Sequence, residues 1–491
     1  MLTLTLIELS GQYDYFQTIE GAYGDTSAST TSSVECTPEG YVSWGLYSTP
    51  DYNHVYLYKY NFDGVRIDSN AFVYPDEFVY IGKCNNFQFS TENERLIYFA
   101  GLIGDDNPGE GYFIEFSLEL DSIFTRRYTP FERQYIRGFS IVEGGYLLLG
   151  SHGTLNSFDG SFLAKVDLNG NYEWIEVMNS PELGVNYGNR YSGESEVGYL
   201  IAGYRTDNNL ISGVLTLTNF DGETLLEVPY KDETYDRWSM LGLAKLESEE
   251  YMIIQSLGYE EFPNDLNFDY YWKNIKLAKI NQSTGEETWS QIYHEDYTLA
   301  NGDWLDIEPT PDGGVIVLGW AYEPDYLYYN WMMKVDANGN EEWFKTYTAE
   351  ECTGCLNFLQ DIEVAPDGGY IGAGYFEYWE VDDLRNSWIL KVDACGDVEW
   401  QGCEPLGTTE RQTANFTIYP NPSSGKFTLE SDDLITAYRI IDLSGRVIDQ
   451  KEEEYPLSKA ILKVKVPAGI YLVEVHTASG KVGRRKLQIN Q

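Results

Sequence analysis

Two stretches carry the reading of the fold: Pro311-Asp-Gly-Gly-Val-Ile-Val-Leu-Gly319 and Pro366-Asp-Gly-Gly-Tyr-Ile-Gly-Ala-Gly374. Each is a tight turn followed by a short apolar run closed by glycine. Pro and Asp initiate the turn, and Gly accepts the positive φ that a tight connection requires. Working outward, the same pattern returns at Thr37-Pro-Glu-Gly-Tyr-Val-Ser-Trp-Gly45, Glu94-Arg-Leu-Ile-Tyr-Phe-Ala-Gly101, Glu143-Gly-Gly-Tyr-Leu-Leu-Leu-Gly150 and Glu196-Val-Gly-Tyr-Leu-Ile-Ala-Gly203. A degenerate copy stands at Glu249-Glu-Tyr-Met-Ile-Ile-Gln-Ser256. The copies end at positions 45, 101, 150, 203, 256, 319 and 374, a period of about fifty residues.

A second element follows most copies: Tyr58-Lys-Tyr-Asn-Phe-Asp-Gly64, Leu163-Ala-Lys-Val-Asp-Leu-Asn-Gly170, Leu215-Thr-Leu-Thr-Asn-Phe-Asp-Gly222, Leu277-Ala-Lys-Ile-Asn-Gln-Ser-Thr-Gly285, Met333-Lys-Val-Asp-Ala-Asn-Gly339 and Leu390-Lys-Val-Asp-Ala-Cys-Gly396. These are alternating strands ending in hairpin turns. A Trp often stands four residues after the Gly, at Trp174, Trp289, Trp343 and Trp400. That spacing puts it on the returning strand, where it packs across the hairpin. Further short strands precede the first element, as in Asp303-Trp-Leu-Asp-Ile-Glu308 and Gln360-Asp-Ile-Glu-Val364. Each unit thus offers three or four antiparallel strands without helical periodicity. One such sheet cannot bury both faces, whereas sheets repeated radially can. The expected fold is all-β: a seven-bladed β-propeller over residues 13–403, a linker over 404–414 and a small Ig-like β-sandwich over 415–491. Tyr13-Asp-Tyr-Phe-Gln-Thr-Ile19 is expected to supply a missing strand to the last blade. The turn-Gly-Trp signature, clearest at Thr284-Gly-Glu-Glu-Thr-Trp289, resembles pyrroloquinoline-quinone-type and kelch-like propeller repeats, a resemblance that concerns fold only.

Charge marks the boundary between the two units. The 491 residues hold 33 Lys and Arg against 78 Asp and Glu, a formal charge of −45. Residues 412–491 hold 11 basic and 9 acidic residues, so nearly all of the negative charge lies upstream. So acidic a chain is excluded as a general nucleic-acid binder. No apolar run is long enough for a membrane-spanning helix. The segment Met1-Leu-Thr-Leu-Thr-Leu-Ile-Glu-Leu-Ser-Gly-Gln12 lacks the basic start of a signal peptide, so the leader is expected to be truncated or missing. The even set Cys36, Cys84, Cys352, Cys355, Cys395 and Cys403 suggests disulfides in an oxidising compartment, with connectivity open.

The C-terminal stretch opens with Asn415-Phe-Thr-Ile-Tyr-Pro-Asn-Pro-Ser-Ser-Gly-Lys-Phe-Thr-Leu429 and continues through Tyr438-Arg-Ile-Ile-Asp-Leu-Ser-Gly445, Pro467-Ala-Gly-Ile-Tyr-Leu-Val-Glu-Val475 and Gly480-Lys-Val-Gly-Arg-Arg-Lys-Leu487. It resembles the type A C-terminal sorting domain of the Bacteroidetes type IX secretion system. The matching positions are Tyr419, Pro420, Asn421, Pro422 and Gly425, then Asp442 and Gly445, then Gly469 and Tyr471, and the basic tail at Lys481 and Lys486. The resemblance implies export across the outer membrane by this machinery, followed by release or surface attachment.

The chemistry is less sharply written. The Asp-x-Asn-Gly-Asn turns at Asp167 and Asp336 look like calcium loops, but Met178 and Tyr347 stand where an EF-hand needs glutamate. They read as hairpin turns, and calcium elsewhere has no location; no cofactor is expected. Asp303, Asp306 and Glu308, with Asp361 and Glu363, are candidate paired carboxylates of a glycosidase, although recurrence in the repeat favours a structural role. The runs Phe268-Asp-Tyr-Tyr-Trp272 and Tyr326-Leu-Tyr-Tyr-Asn-Trp331 are placed in long loops. Tyr270, Tyr271, Trp272, Tyr328, Tyr329 and Trp331 are therefore the expected aromatic rim for a glycan or protein ligand. His54, His152, His294 and His476 are scattered. No nucleophile motif or phosphate loop is present. The expected function is non-catalytic binding or adhesion outside the cell. The alternatives are a polysaccharide-active hydrolase or quinone-dependent dehydrogenase on the same scaffold, or a structural coat protein.

Overall fold

In the computed structural model, the described residues are 17–20, 28–398 and 416–489, less several connecting stretches of which 260–270 and 295–305 are the longest. The chain divides into two compact units, Met1–Glu404 and Pro405–Gln491. Among the described residues there is no helix; both units are built of antiparallel strands.

The strands that matter for the first unit are β1 (Gln17–Glu20), β2 (Ala28–Thr37), β3 (Phe87–Ser90), β4 (Arg133–Val142), β5 (Asn186–Glu194), β6 (Arg237–Lys245), β7 (Asp306–Pro309), β8 (Cys355–Val364) and β9 (Arg385–Val392). Strands β2 to β8 each begin a sheet, or half of one; three further strands follow outward by hairpins from β2 to β7, and two from β8. The sheet of β2 continues through Gly40–Ser48, Asn53–Tyr60 and Arg66–Tyr74. The sheet of β7 continues through Val315–Tyr322, Tyr328–Val335 and Glu341–Tyr347. An eight-stranded sheet holds two such groups, those of β5 and β6, joined by a single parallel pair, Ile211 with Arg237. The sheet of β8 receives its fourth strand from the start of the chain: β1 pairs antiparallel with β9, Gln17 opposite Leu390. This is the strand expected from the N-terminal segment; residues 13–16 of that segment lie outside the described residues.

The first strands follow one another in a closed cycle. β2 lies against β3, the β3 sheet against β4, β4 against β5, β5 against β6, β6 against β7, β7 against β8, and β8 against β2. The core is divided accordingly into layers between successive sheets. One layer joins Ile254, Leu277 and Tyr293 to Ile307, Val317 and Trp331; another joins Val34, Tyr41 and Tyr60 to Ile371, Ala373 and Ile389. The result is a β-propeller-like, all-β fold in which each sheet buries both faces against its neighbours.

The sequence motifs join the sheets in two ways. Within a sheet, the turn and the following strand meet through an ion pair. Lys334 binds Asp312 at 2.7 Å, and Lys391 binds Asp367 at 2.8 Å; the Lys side chains are 4% and 0% exposed. Trp174, Trp289 and Trp343 stand opposite Lys165, Lys279 and Lys334 of their own hairpins, as expected, and also reach between sheets onto the turn glycine of the next one; Trp400 lies outside the described residues. A Cβ on Gly222 would come within 3.0 Å of Trp174, one on Gly339 within 3.0 Å of Trp289, and one on Gly396 within 3.0 Å of Trp343. A tyrosine on the same outer strand donates to the same turn: Tyr293 Oη to Gly339 O and Tyr347 Oη to Gly396 O, both 2.7 Å, and Tyr128 Oη to Gly170 O at 2.8 Å. Spacing on one strand does not say which sheet lies beyond it, which is why the neighbour was missed.

The second unit comprises β10 (Phe416–Tyr419), β11 (Lys426–Ile441), β12 (Val447–Lys463), β13 (Gly469–Thr477) and β14 (Val482–Ile489). The sheet order is β10-β11-β13-β14, with β12 on the other edge of β11. Register shifts beyond Glu430 let the long β11 pair first with β10 and then with β13. Its inward residues form one core with Phe416, Phe427, Leu429, Ile440, Leu462, Val473 and Leu487.

Candidate functional site

The strongest concentration of titratable groups lies where β7, β8 and β2 meet. These strands carry Asp306 and Glu308, Asp361 and Glu363, and Glu35. Alternation sends residues i and i+2 to the same face, which here faces the next sheet in the cycle. Asp306 Oδ2 accepts from Ile362 N at 3.0 Å, so β7 is tied to β8. Asp361 Oδ2 accepts from Ser33 Oγ at 2.7 Å and Val34 N at 2.8 Å, tying β8 to β2. Glu35 Oε2 accepts from Phe89 N at 2.9 Å, tying β2 to β3. The device continues without charge. Gln88 donates to Phe139 O at 3.1 Å, and Ser140 donates to Ser192 O at 2.8 Å.

Burial dominates the electrostatics. Asp306 and Asp361 are 2% and 4% exposed. Desolvation pushes the carboxyls of Asp306, Asp361, Glu35, Glu308 and Glu363 above their ordinary range. Like charge adds to the rise for Glu35, Asp306, Glu308 and Glu363. The donors Val34 N and Ser33 Oγ of β2 offset part of the rise at Asp361, whereas the neighbouring Asp361 carboxylate adds to that at Asp306. Glu308 and Glu363 are half-buried, and Glu308 lies close enough to add to the rise at Glu363.

This geometry suits a fastener better than a hydrolase. Glycosidase carboxyls stand at least about 5 Å apart, with room for sugar or water between them. The two buried carboxyls of Asp306 and Asp361 interact directly, and Ile307 N, Ile362 N, Ser33 Oγ and Val34 N already donate to their oxygens. Asp303 lies outside the described residues. Among the described residues no group of three or more His, Cys, Asp or Glu is placed to hold a metal ion. The turns at Asp167 and Asp336 spend their carboxylates on local N–H groups. Asp167 accepts from Asn169 N and Asn171 N at 2.9 and 2.7 Å; Asp336 accepts from Asn338 N and Asn340 N at 2.8 Å each.

A groove of about 540 Å³ is lined by Phe344, Lys345, Thr346, Tyr347, Gly396, Asp397 and Val398. Lys345 and Asp397 form an ion pair in it, beside the Tyr347–Gly396 hydrogen bond. It is the joint between an outer strand and the next hairpin.

Of the expected aromatic rim, the side chains described are those of Tyr329 and Trp331. Trp331 is fully buried in the core, stacked on Phe344 at 5.6 Å between ring centres, because its position on Tyr328–Val335 faces inward. Tyr329 is half-buried and packs against the same layer. Tyr328, Tyr271 and Trp272 belong to strands rather than loops. Tyr270 lies outside the described residues. Cys36 is also at odds with full pairing of the cysteines: it is a free thiol, and burial followed by the carboxylates of Glu363 and Glu35 pushes its pKa up. The sequence signal for the inter-sheet fastener was present in the repeated Asp-Ile-Glu of β7 and β8, but acceptors on a neighbouring strand cannot be read from one strand.

In the second unit the motif residues are structural neighbours. Asn421 donates to Lys486 O at 2.7 Å and accepts from Gln488 N at 2.8 Å, pinning β14. Gly425, at φ +94°, accepts from Val464 N at 2.8 Å; a side chain there would crowd the Val464 carbonyl. Tyr471 Oη donates to Pro467 O at 3.0 Å. Tyr419 donates to Glu430, beneath the Lys459 ammonium, which lies 5.2 Å from its ring centre. Both peptide bonds preceding Pro420 and Pro422 are cis. Gly469 begins β13 and Lys486 lies exposed on β14. Asp442, Gly445 and Lys481 lie outside the described residues.

Comparison with solved structures finds similar chain folds at low identity. The Dos1 propeller matches at 11% identity and a TM-score of 0.42, over 84% of this chain and 92% of that one. A protein of unknown function from Dyadobacter fermentans matches at 10% identity and 0.41, over 65% and 98%. An α-L-arabinanase of Penicillium chrysogenum matches at 12% identity and 0.38, over 77% and 98%. No curated protein matches the sequence. No helix among the described residues is long and apolar enough to cross a membrane. Residues 417–490 match the secretion system C-terminal sorting domain family, and this part of the chain is such a domain, which implies secretion or attachment at the surface.

Proposed function

We propose that the protein is an exported seven-bladed propeller, residues 13–403, joined by the 404–414 linker to an Ig-like type IX sorting domain over residues 415–491. Its role in this reading is non-catalytic binding or adhesion outside the cell. The blade count is supported by the cycle β2 to β8, and the repeat is of the kind in which a Trp docks on the next blade. Disulfide-bonded Cys355 and Cys395 fit an oxidising destination. The observation that carries the non-catalytic reading is the use of the best carboxylate pair, Asp306 with Asp361, as an inter-blade fastener.

The ligand class is an extracellular glycan or protein. The test is a glycan array and a panel of surface proteins, run beside a hydrolysis screen of the same glycans with the purified full chain. Binding without turnover supports the proposal. Turnover that disappears in Asp361→Asn while the fold is kept establishes the hydrolase alternative instead. Absence of both points to a structural coat protein.

A further inference from the structure

The sorting domain presents one outward sheet face that its own core does not explain. Strands β10, β11 and the end of β12 lie side by side in fixed register. Ile418, Leu429 and Ala460 form an inward row; the next row, Tyr419, Thr428 and Ile461, therefore points outward. Beside it run Thr417, Glu430 and Lys459 on one side, and Lys426 with Lys463 on the other. Ile461 is 67% exposed and Tyr419 39% exposed. The three lysines are exposed as well, and Glu430 is the single acid among them. The face is an apolar centre rimmed by net positive charge.

Three facts make it notable. An isoleucine left 67% exposed near the end of a strand gains little for folding, and exposed apolar side chains ringed by polar ones mark contact surfaces. The basic charge stands out in a chain whose remaining residues are strongly acidic. Finally, the opening motif of the sorting domain begins on this face. Asn421 and Gly425 serve the fold, whereas the Tyr419 ring is held out by Glu430 and Lys459.

We infer that this face, centred on Tyr419 and Ile461 and flanked by Lys426, Lys459 and Lys463, docks an acidic protein surface of the export machinery. The inference rests on the sorting-domain assignment and adds where on the domain recognition occurs. Acidic partner residues match the lysine rim, and an apolar group covers Ile461, the usual division of a contact into apolar centre and polar rim.

The test is export of the full chain from a host that has the machinery, measured as extracellular against cell-retained protein. Lys459→Glu/Lys463→Glu and, separately, Ile461→Asp are expected to lower export roughly tenfold or more. Lys451→Glu, an equal charge change on a different part of β12, leaves it unchanged. Lys459→Arg/Lys463→Arg restores it. Thermal unfolding of the purified variants must match the parent chain, which separates docking from misfolding. Normal export of the folded Glu variants overturns the inference. So does lysine-dependent binding to phosphatidylglycerol vesicles that accounts for the export loss, since that assigns the face to lipid. Deletion of residues 415–491 is the control for the assignment beneath: undiminished export of that form overturns the sorting role and the inference together, whereas blocked export of it with normal export of the Glu variants overturns the inference alone.

Discussion

Gly339 and Gly368 form a natural pair for weighing the inter-blade joint. Both have φ +86°, so Ala at either position meets the same left-handed backbone cost, about 1–2 kcal/mol. Their surroundings differ. A Cβ on Gly368 meets nothing within 4 Å, whereas one on Gly339 falls within 3.0 Å of three atoms of the Trp289 ring. The ring is fixed by packing against the layer that contains Tyr293 and Trp331, so it has little freedom to retreat. Overpacking of this kind costs about 1–3 kcal/mol more. The total is then about 2–5 kcal/mol for Gly339→Ala against about 1–2 kcal/mol for Gly368→Ala. With an unfolding entropy of about 2.1 cal/mol/K per residue, the first unit of about 400 residues loses about 1 °C of Tm per kcal/mol. Differential scanning calorimetry should therefore show a fall of about 1–2 °C for Gly368→Ala and about 2–6 °C for Gly339→Ala. In Gly339→Ala/Trp289→Ala the extra loss should no longer add to that of Trp289→Ala. Equal shifts for the two glycine variants would refute the docking of Trp289 on the next blade as a rigid contact.

Other expectations follow from the same contacts. Tyr293→Phe removes the donor to Gly339 O and should cost about 1–2 kcal/mol, read as a lower urea midpoint at unchanged slope; no shift removes the tyrosine from the joint. Lys391→Met leaves Asp367 without its buried partner, and since Asp367 keeps 15% exposure the cost should be about 2–3 kcal/mol, less than for a fully buried pair. The further change Asp367→Asn should recover part of it. The carboxyls of Glu35, Asp306, Glu308, Asp361 and Glu363 have raised pKa values in the folded chain, so above the unfolded value of about 4 the folded state holds more protons. Their contribution is greatest in acid and declines as pH rises through the folded values. Asp312 and Asp336, held low by hydrogen bonds, contribute oppositely and lose their contribution as pH falls. Asp306→Asn should flatten the decline on the high-pH side of a stability–pH profile; an unchanged slope would remove Asp306 as a source.

The turns and strands were legible because their chemistry is local. Pro-Asp-Gly-Gly and Val-Asp-x-x-Gly each name a backbone conformation, and the glycines at 313, 339, 368 and 396 have the positive φ those motifs imply. The sorting motif was legible for a different reason: its spaced residues match a family pattern, although Asn421 reaches β14 and Gly425 reaches Val464. What depends on a neighbouring sheet was not legible. The Trp289 partner is about fifty residues away in sequence, and Asp361 reaches Ser33 more than three hundred residues away. Trp331 was misplaced for another reason. Tyr326-Leu-Tyr-Tyr-Asn-Trp331 reads as an aromatic loop by composition, yet strand alternation from Tyr328 onward takes the indole inward. Asn330 interrupts the apolar pattern because its carbonyl receives Leu359 N from the next blade at 2.7 Å, a duty that looks like loop polarity in the sequence.

The pairing of Gln17–Glu20 with Arg385–Val392 has a consequence in time. β1 waits for β9, nearly the last strand of the first unit, before its edge is satisfied, so the circle closes only once both have emerged. Until both ends have emerged, β9 offers an open hydrogen-bonding edge, the kind of edge that invites pairing with other chains. A chain held up before that point is exposed to aggregation at one defined place, the outer edge of its final blade.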